Sequence, residues 1–371
     1  MSESKRPNRR DFLSGRAVAK RAQEAANQAA DELAVPSARR PPAYLMHVAR
    51  TAMACEFEVL LNAGEHPEGP DVALQALDLV DRLEDQLTVY RAHSEVSRLN
   101  ARAATEEVVV EDGLFELLSL AMELSRETGG AFDITSGPLS KVWGFYRRAG
   151  RLPTDDDLAT ALQQVGYRQI ELNDERRSVR FLRPGLEINL GAIGKGYALD
   201  RCVDLLEAGG VTSFLLHGGT SSIVGRGSRA GLLEEETGWI VALKHALRPE
   251  QKLAEIRLRN RALGTSGSGS QFFFHQGKRY GHILDPRTGR PAEQVISSTV
   301  LAPNAALADA LATAFYVMSV EETAEFCARH AEIGALLVVP GAKTGAVRVE
   351  RFNLADNDVR LETQPTPSSG T

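Results

Sequence analysis

The sequence lacks the features that mark several specialised classes of protein. Its three cysteines are far apart and form no CxxC pair, which excludes a disulfide framework or a zinc knuckle. Aromatic residues make up only 6% of the chain, and no apolar run approaches the ~20 residues of a membrane-spanning helix. The net charge is −6, whereas nucleic-acid binders present a basic surface. We therefore expect a soluble enzyme or ligand-binding protein with no nucleic-acid partner and no transmembrane segment.

The charge that is present is unevenly distributed. Residues 1–42 contain nine basic and five acidic residues, a net charge of +4 that leaves −10 for the rest. Because this segment has almost no large apolar side chains, it is predicted to be a disordered basic tail. Residues 355–371 end in a Pro, Ser and Thr run and are predicted to be a flexible C-terminal tail. The functional domain is therefore predicted to span 43–354.

The basic tail also contains a short motif that bears on location. Residues 8–13 (NRRDFL) resemble a twin-arginine export signal. Such a signal needs an apolar segment after the arginines, and here charged residues interrupt that region. The sequence therefore favours a cytoplasmic location, with export to the periplasm as the alternative.

Hydrophobic periodicity predicts helices and strands in mixed order, without the strict alternation of a doubly wound sheet. The predicted helices are 71–90, 113–128, 197–207, 305–318 and 321–330. The predicted strands are 168–172, 177–182, 186–190, 211–216, 221–224, 239–243, 253–258, 298–302 and 335–339. This order predicts an α+β fold.

A glycine-rich segment, Gly191–Tyr197 (GAIGKGY), lies between a predicted strand and a predicted helix. Its glycines let backbone amides approach an anion at the helix N-terminus, where Lys195 adds a positive charge. The spacing matches neither a Walker loop nor GxGxxG. An anion site and a simple tight turn are equally compatible with this segment.

Asp309 and Thr313 lie four residues apart on the helix predicted over 305–318. Residues at this spacing share one helix face, so a carboxylate and a hydroxyl point together. Oxygen ligands of this kind suit Mg²⁺, which keeps several waters or phosphate oxygens. The alternative is a helix acid beside a threonine that bonds to its own backbone, and the pair alone favours that alternative.

A third segment combines hydroxyl groups with a histidine. Gly264–Ser270 (GTSGSGS) is predicted to be a flexible loop whose Thr265 and Ser266 could contact phosphates. Tyr280–Pro291 is predicted to be a strand entering an Asp-Pro turn, with His282 at the strand end. An imidazole there could act as a base, and the alternative is a structural turn with a hydrogen-bonded histidine.

A fourth segment, Gly129–Leu139, leads to the aromatic residues Trp143 and Phe145. A planar ligand could lie against these rings, but core packing is the favoured interpretation.

In their order along the chain, eight short blocks resemble the ApbE family, the FAD:protein FMN transferases. The blocks are Met53–Phe57, Tyr90 with Ser94–Asn100, Ala131–Leu139 with Trp143, Asn189–Asp200, Gly218-Gly219, Thr265–Gly267, His282–Gly289 and Asp309–Thr313. Each block is weak alone, and their common order over residues 44–352 is what carries the resemblance.

The resemblance implies an α+β fold with FAD bound in a cleft between two parts. It implies FAD contacts from Met53, Tyr90, Ala131, Phe132, Asp133, Asn189, Lys195 and Ile283, to which we add Thr265 and Ser266 from the hydroxyl-rich segment. It places a divalent ion, Mg²⁺, on Asp309, Thr313 and the backbone oxygen of Ala192. The implied reaction moves FMN from FAD to a Thr or Ser hydroxyl and releases AMP. The implied acceptor carries a Ser/Thr-rich motif in a subunit of a membrane redox complex. His282 is our candidate for the base.

The chain also departs from the pattern of the family. Asn189 replaces the usual aspartate, Ala54-Cys55 replaces Gly-Thr, and Thr220 follows Gly218-Gly219 where an aspartate is common. Two alternative functions therefore stay open. One is a Mg²⁺-dependent FAD pyrophosphatase that gives FMN and AMP, and the other is a non-catalytic FAD-binding protein.

Overall fold

The computed structural model describes residues 44–362 except 233–236, 268, 270 and 344. The strands are β1 (Leu45–Ala52), β2 (Cys55–Asn62), β3 (Val108–Val109), β4 (Ile170–Asn173), β5 (Ser178–Phe181), β6 (Phe214–Gly218), β7 (Ser222–Arg226), β8 (Trp239–His245), β9 (Arg248–Leu258), β10 (Arg261–Gly267), β11 (Phe272–His275), β12 (Lys278–Gly281), β13 (Ser297–Ala302), β14 (Gly334–Pro340), β15 (Val347–Phe352) and β16 (Val359–Leu361). The helices are α1 (Gly69–Leu87), α2 (Glu95–Arg102), α3 (Asp112–Glu127), α4 (Gly137–Val142), α5 (Asp155–Leu162), α6 (Gly194–Ala208), α7 (Ala305–Val317) and α8 (Val320–Arg329), with short 3₁₀ turns at Phe145–Arg147 and Tyr167–Gln169.

One antiparallel sheet forms the centre of the fold. Its strand order is β1-β2-β6-β7-β10-β13-β14-β15. Smaller sheets join β16, β9 and β8, then β3, β5 and β4, and finally β11 with β12. Mixed helices and antiparallel strands confirm the predicted α+β class.

The two faces of the central sheet are both buried. Side chains alternate along a strand, so successive residues of β13 enter different cores. Val300 and Ala302 belong to the main core with α6 and α7, whereas Leu301 packs in a second core with β9. Helices therefore cover one face, and the sheet of β16, β9 and β8 covers the other.

Helix starts follow local sequence signals in most cases. The Asn304 side chain accepts from the Leu307 N–H at the start of α7. Ser319 and Glu322 form a reciprocal capping box at the start of α8. Helix α6 is different, because Ile193 stands at its N-cap and offers no side-chain acceptor. The Gly194 N–H bonds instead to the Leu190 carbonyl oxygen at 2.6 Å, and the Gly196 N–H bonds to a side chain of α7.

The five predicted helices and eight of the nine predicted strands are present, with ends displaced by up to five residues. The strand predicted at 186–190 is wrong, although Leu186, Ile188 and Leu190 are buried as expected. The backbone of Ile188 bonds instead to both amide atoms of the Asn100 side chain, each at 2.9 Å. A side chain therefore replaces the neighbouring strand here.

The flexible loop predicted at 264–270 is also wrong over 264–267. These residues end β10, where Gly264 lies opposite Val300 and Ser266 lies opposite Ser298. The glycine and hydroxyl residues that suggest a loop are held as a strand between β7 and β13.

The predicted tails lie mostly outside the described residues. Residues 1–42, with the export-like motif, are among these, so the predicted disordered tail and the predicted compartment stay predictions. Within 355–371 the structure describes 355–362, where Val359 is buried and pairs with Ile256 of β9. Val359–Leu361 therefore form a paired strand and not a flexible tail.

Candidate functional site

Two neighbouring helices meet at the site and cap each other. The Gly196 N–H near the start of α6 donates to Asp309 Oδ2 of α7 at 2.8 Å. In return, Asp200 of α6 accepts from the N–H groups of Ala305 and Ala306, at 2.7 and 2.8 Å. A carboxylate at a helix N-terminus is favoured by the helix dipole. The exchange fixes Asp309 against the glycine-rich start of α6.

The approach of these elements requires glycine at two positions. A Cβ on Gly196 would lie within 3.0 Å of the Ala305 backbone, and a Cβ on Gly264 within 3.0 Å of the Ala308 backbone. Real Cβ atoms essentially never come so close to backbone. The glycines therefore let α6 and β10 press directly against α7, which carries Asp309.

A polar network links the two sides of this junction. Lys195 Nζ donates to the hydroxyls of Ser221 and Ser222, and Ser222 Oγ donates to Asp309 Oδ2 at 2.9 Å. Burial raises the pKa of Asp309 to about 6, although the nearby Lys195 charge and the hydrogen bonds act in the opposite direction. We call Gly194–Gly196, Ser221, Ser222 and Asp309 the helix wall.

The helix wall can accept a hard cation. Both hydrogen bonds that the Asp309 carboxylate accepts from the described residues go to Oδ2, so Oδ1 accepts none from them. Thr313 Oγ1 lies 3.1 Å from Ser266 Oγ, and Thr313 and Ala192 line the same cavity as Asp309. In the described part of the chain, no cluster of three His, Cys, Asp or Glu side chains could hold a metal. A site with one carboxylate and neutral oxygens suits Mg²⁺ with water or phosphate ligands.

His282 faces the same cavity with a defined tautomer. Its Nδ1 lies 3.0 Å from the Gln271 carbonyl oxygen, so Nδ1 carries the proton and donates. Nε2 has no hydrogen-bond partner among the residues described. Burial lowers the pKa of His282, with the Gln271 carbonyl acting in the opposite direction. The ring is therefore a neutral imidazole with Nε2 ready to accept a proton.

A hairpin holds His282 in place. Gln271 Nε2 donates to the Phe145 carbonyl at 2.8 Å, and the Phe145 ring meets the His282 ring edge-on. Phe273 of β11 stacks on Tyr280 of β12 with 5.2 Å between ring centroids. We call Gln271, His282, β11, β12 and the turn Phe145–Arg147 the hairpin wall.

Between the two walls lies a cavity of about 440 Å³. It is lined by Tyr90, Phe132, Asp133, Ile134, Ser136, Gly137, Ser140, Asn189, Gly191, Ala192, Lys195, Ser221, Thr265, Ser266, Gly267, Gln271, His282, Ile283, Leu284, Asp309 and Thr313. Twelve of the fourteen residues predicted for the site are in this set. They come from segments nearly 225 residues apart in the chain, as Tyr90 and Thr313 show.

The other two predicted residues lie elsewhere. Met53 lines an adjoining cavity of about 250 Å³ that shares Tyr90, Asn189 and Lys195 with the first. Ala131 is not on the wall of either cavity, because its side chain is 1% exposed and packs in the main core. Its alanine fills the core beside Phe132, which does reach the cavity.

Two of the lining residues order the backbone as well. The Asp133 carboxylate accepts from Thr135 N and Oγ1 and from Tyr167 N, at 2.6 to 2.8 Å. Burial raises the pKa of Asp133. Asn189 Oδ1 accepts a hydrogen bond from the Gly191 N–H at 2.8 Å, which closes a tight turn. The side-chain oxygen of asparagine can close such a turn as well as that of aspartate. Asn189 in place of aspartate therefore preserves the local turn.

Sequence reasoning missed three residues of the walls: Ser221, Ser222 and Gln271. The Gly218-Gly219 block marks the turn before Ser221, but only the pairing of Ser222 with Gly264 brings its hydroxyl to Asp309. Nothing in the sequence marks Gln271. Trp143 packs in the core with its Nε1 donating to the Gly289 carbonyl at 2.8 Å, which confirms the core interpretation.

The chain is similar to known proteins over most of its length. Residues 53–337 match the ApbE family. The chain is 32% identical over 302 residues to an FAD:protein FMN transferase of Treponema pallidum, covering 78% of this chain and 83% of that protein. A Vibrio cholerae protein of the same name is 32% identical over 70% of this chain and 77% of its own length.

The described helices include no candidate for a transmembrane span.

Solved structures show the same fold. The ApbE protein of Thermotoga maritima superposes with a TM-score of 0.74 at 28% identity, covering 83% of this chain and 97% of that one. The flavin transferase ApbE of Vibrio cholerae gives 0.73 at 26% identity, covering 84% and 98%. With the family match spanning most of the described residues, this chain belongs to the ApbE family.

Proposed function

We propose that this chain is an FAD:protein FMN transferase that depends on Mg²⁺, modifies a Thr or Ser hydroxyl and releases AMP. One observation carries the proposal: His282, whose Nε2 has no hydrogen-bond partner among the described residues, shares a cavity with Lys195 at the start of α6 and with Asp309. The relatives named FAD:protein FMN transferase support the transfer of flavin.

The helix wall supplies the positive groups that a diphosphate needs. The N-cap residue of α6, Ile193, offers no side-chain acceptor, and Lys195 stands in the first turn of the helix. The positive end of the helix dipole and the Lys195 ammonium together favour an anion at this terminus. Asp309, Thr313 and the Ala192 carbonyl would hold Mg²⁺, which when bound neutralises charge on the diphosphate.

The hairpin wall supplies the proton acceptor. The acceptor oxygen forms a new bond to the phosphorus of the FMN half of FAD. The bond between that phosphorus and the oxygen bridging to AMP breaks, and AMP leaves. His282 Nε2 takes the proton of the incoming hydroxyl, while the Gln271 carbonyl holds Nδ1–H and so fixes the ring orientation. Atoms and charge balance with no further reactant.

We propose that the acceptor is a subunit of a membrane redox complex with a Ser/Thr-rich segment. FAD and a protein acceptor are the two substrates that a flavin transferase needs, as the names of the relatives state.

One experiment separates transfer from its alternatives. The protein is incubated with FAD, Mg²⁺ and a flavin-free Ser/Thr-bearing domain of a membrane redox complex, then run on a denaturing gel. A fluorescent acceptor band with one AMP per flavin attached is the expected result. AMP and free FMN without labelling would replace the transferase by a pyrophosphatase, and bound but unreacted FAD would replace it by a flavin-binding protein.

A further inference from the structure

The hairpin of β11 and β12 presents an apolar face that no other described segment of the chain covers. Phe273 and Tyr280 point inward, whereas Phe272 and Phe274 are 42% and 66% exposed. The exposed rings meet edge-on at 5.6 Å, and the Arg279 guanidinium lies 4.0 Å from the centroid of Phe272. We call Phe272, Phe274 and Arg279 the outer hairpin face. Exposed aromatic rings grouped in this way are typical of a contact surface.

The hairpin also has an open edge. Its turn, Gln276-Gly277, has positive φ at both residues (49° and 78°), as a two-residue type I′ turn requires. His275 and Lys278 flank that turn, so by strand alternation the N–H and C=O groups of Phe272 and Phe274 point away from β12. Among described residues, β11 pairs with β12 alone. An exposed strand edge of this kind can pair with an extended peptide.

Two exposed arginines lie in the turn that packs against this hairpin. The charge of Lys278 on β12 is already paired with Glu293, at 2.8 Å. Arg147 and Arg148 are exposed and have no ion pair within the described part of the chain. Their turn contacts the hairpin through the Phe145 and Phe273 rings, 5.6 Å apart. On a chain with a net charge of −6, a basic surface at this place favours an acidic partner.

The outer hairpin face leads directly to the proposed base. Gln271 precedes β11, and its carbonyl oxygen accepts from both the His282 backbone N–H at 3.2 Å and His282 Nδ1 at 3.0 Å. A chain paired with β11 would therefore run toward the residue that holds the imidazole. This continuity distinguishes the hairpin from other exposed apolar residues such as Ile240 on β8.

We propose that the outer hairpin face and the arginines at 147 and 148 dock the acceptor protein through an extended, acidic segment beside its Thr or Ser. The proposal rests on the proposed function, since it names the surface that receives the acceptor of that reaction. The aromatic rings supply apolar contact, the β11 edge supplies backbone hydrogen bonds, and the arginines select acidic flanks.

The test uses two fluorescein-labelled twelve-residue peptides, each with one central Thr flanked by either Asp or Lys at the same positions. Binding to the FAD-saturated full chain is measured by anisotropy in EDTA, so that no transfer occurs. We expect the Asp peptide to bind more tightly than the Lys peptide. The double variant Phe272→Ser/Phe274→Ser and the variant Arg147→Glu should each weaken its binding about tenfold.

The matched controls are Ile240→Ser and Lys244→Glu, which change exposed residues of β8 that line neither cavity. Both should bind the Asp peptide like the parent, and all variants should bind FAD equally by flavin fluorescence. The proposal is overturned if neither peptide binds, if the Lys peptide binds more tightly, or if the hairpin variants bind the Asp peptide like the parent. Binding of the same variants to phosphatidylglycerol vesicles is measured as well. The proposal is also overturned if the hairpin variants keep the parent's affinity for the Asp peptide and lose only their affinity for FAD, or only their binding to these vesicles.

Adding Mg²⁺ separates this proposal from the function on which it rests. Hairpin-dependent binding of the Asp peptide without attached flavin, together with release of AMP and free FMN, would count against transfer and leave the docking surface in place. If the parent and the hairpin variants attach flavin to the Asp peptide equally, the result supports transfer and contradicts the proposed docking surface.

Discussion

The two walls of the cavity are held in different ways. In the helix wall, α6 and α7 approach so closely that Gly196 has no room for a Cβ, and Asp309 is 8% exposed. The hairpin wall is a two-stranded sheet that exposes Phe274 on one face and packs Phe273 on the other. One wall is built from the main core and the other is attached to it by a small aromatic cluster.

This difference matches the chemistry assigned to each wall. A diphosphate and a cation need fixed charges, and preorganised groups cost no rearrangement during the reaction. A protein acceptor needs an accessible surface, which the outer hairpin face offers. His282 lies where the walls meet, with its ring half-buried and its backbone bonded to Gln271 at the base of the hairpin.

The largest expected effect follows from the helix wall. Asp309→Ala removes the one carboxylate that, among the described residues, lines the cavity with an oxygen that accepts no hydrogen bond. We expect transfer to be lost and the dependence on Mg²⁺ to disappear, measured as flavin attached against Mg²⁺ concentration. The control is Asp356→Ala, an exposed acid that pairs with Arg351 outside the cavity. An unchanged Mg²⁺ dependence in Asp309→Ala would remove Asp309 from the metal site.

On the hairpin wall, His282→Ala removes the proposed base without touching the helix wall. Loss of a general base typically slows a reaction ~10²–10⁴-fold, so transfer should fall by that factor. FAD affinity, measured by flavin fluorescence, should be unchanged. His275→Ala, on the exposed end of the same hairpin, is the matched control. Transfer at the parent rate would exclude His282 as the base.

The close packing of the helix wall predicts a loss of stability. Gly196→Ala places a methyl group against the Ala305 backbone, and we expect it to lower the free energy of unfolding by about 3 kcal/mol. Gly269→Ala, in open space at the root of the hairpin, should leave it unchanged. Denaturant titration of both variants measures the difference. Equal stability of the two would mean that α6 and α7 can separate at little cost.

These walls also show what the sequence can and cannot predict. The helices that carry Lys195 and Asp309 are predicted to within three residues at their ends, because their apolar periodicity is strong. The strand at Gly264–Gly267 is not predicted, because its small polar residues are typical of loops. It is ordered only by pairing with its neighbours β7 and β13. Tertiary contacts there override local propensity.

The same limit applies to the site. Twelve of the fourteen predicted residues line the cavity between the walls. The resemblance to the ApbE family names nine of them by position, and the chemistry of their side chains suggests the other three, Thr265, Ser266 and His282. Ser222 and Gln271 act through partners more than ten residues away, at Asp309 and His282 respectively. Such pairings depend on strand register, which no local motif reveals.

A smaller effect on the helix wall comes from its hydroxyl network. Ser222→Ala removes a donor to Asp309 and an acceptor for Lys195, and we expect transfer to fall about tenfold. Ser298→Ala is the matched control, because Ser298 is fully buried and its Oγ has no hydrogen-bond partner in the described chain. Steady-state transfer rates for the two variants measure the difference. Equal rates would show that Gly196 alone positions Asp309.

The smallest expected effect is the pH response of His282, where the walls meet. Burial lowers its folded pKa below 6.5, so the ring stays neutral, and able to accept a proton, at pH values where a free histidine is half charged. The unfolded chain takes up this proton first, so His282 lowers stability as pH falls below 6.5 and has no effect above it. Histidine Cε1–H NMR of the chain without FAD or Mg²⁺, assigned with His282→Ala, should give a midpoint below 6.5. A midpoint at or above 6.5 would show that water reaches the ring and that the hairpin wall does not shield the base.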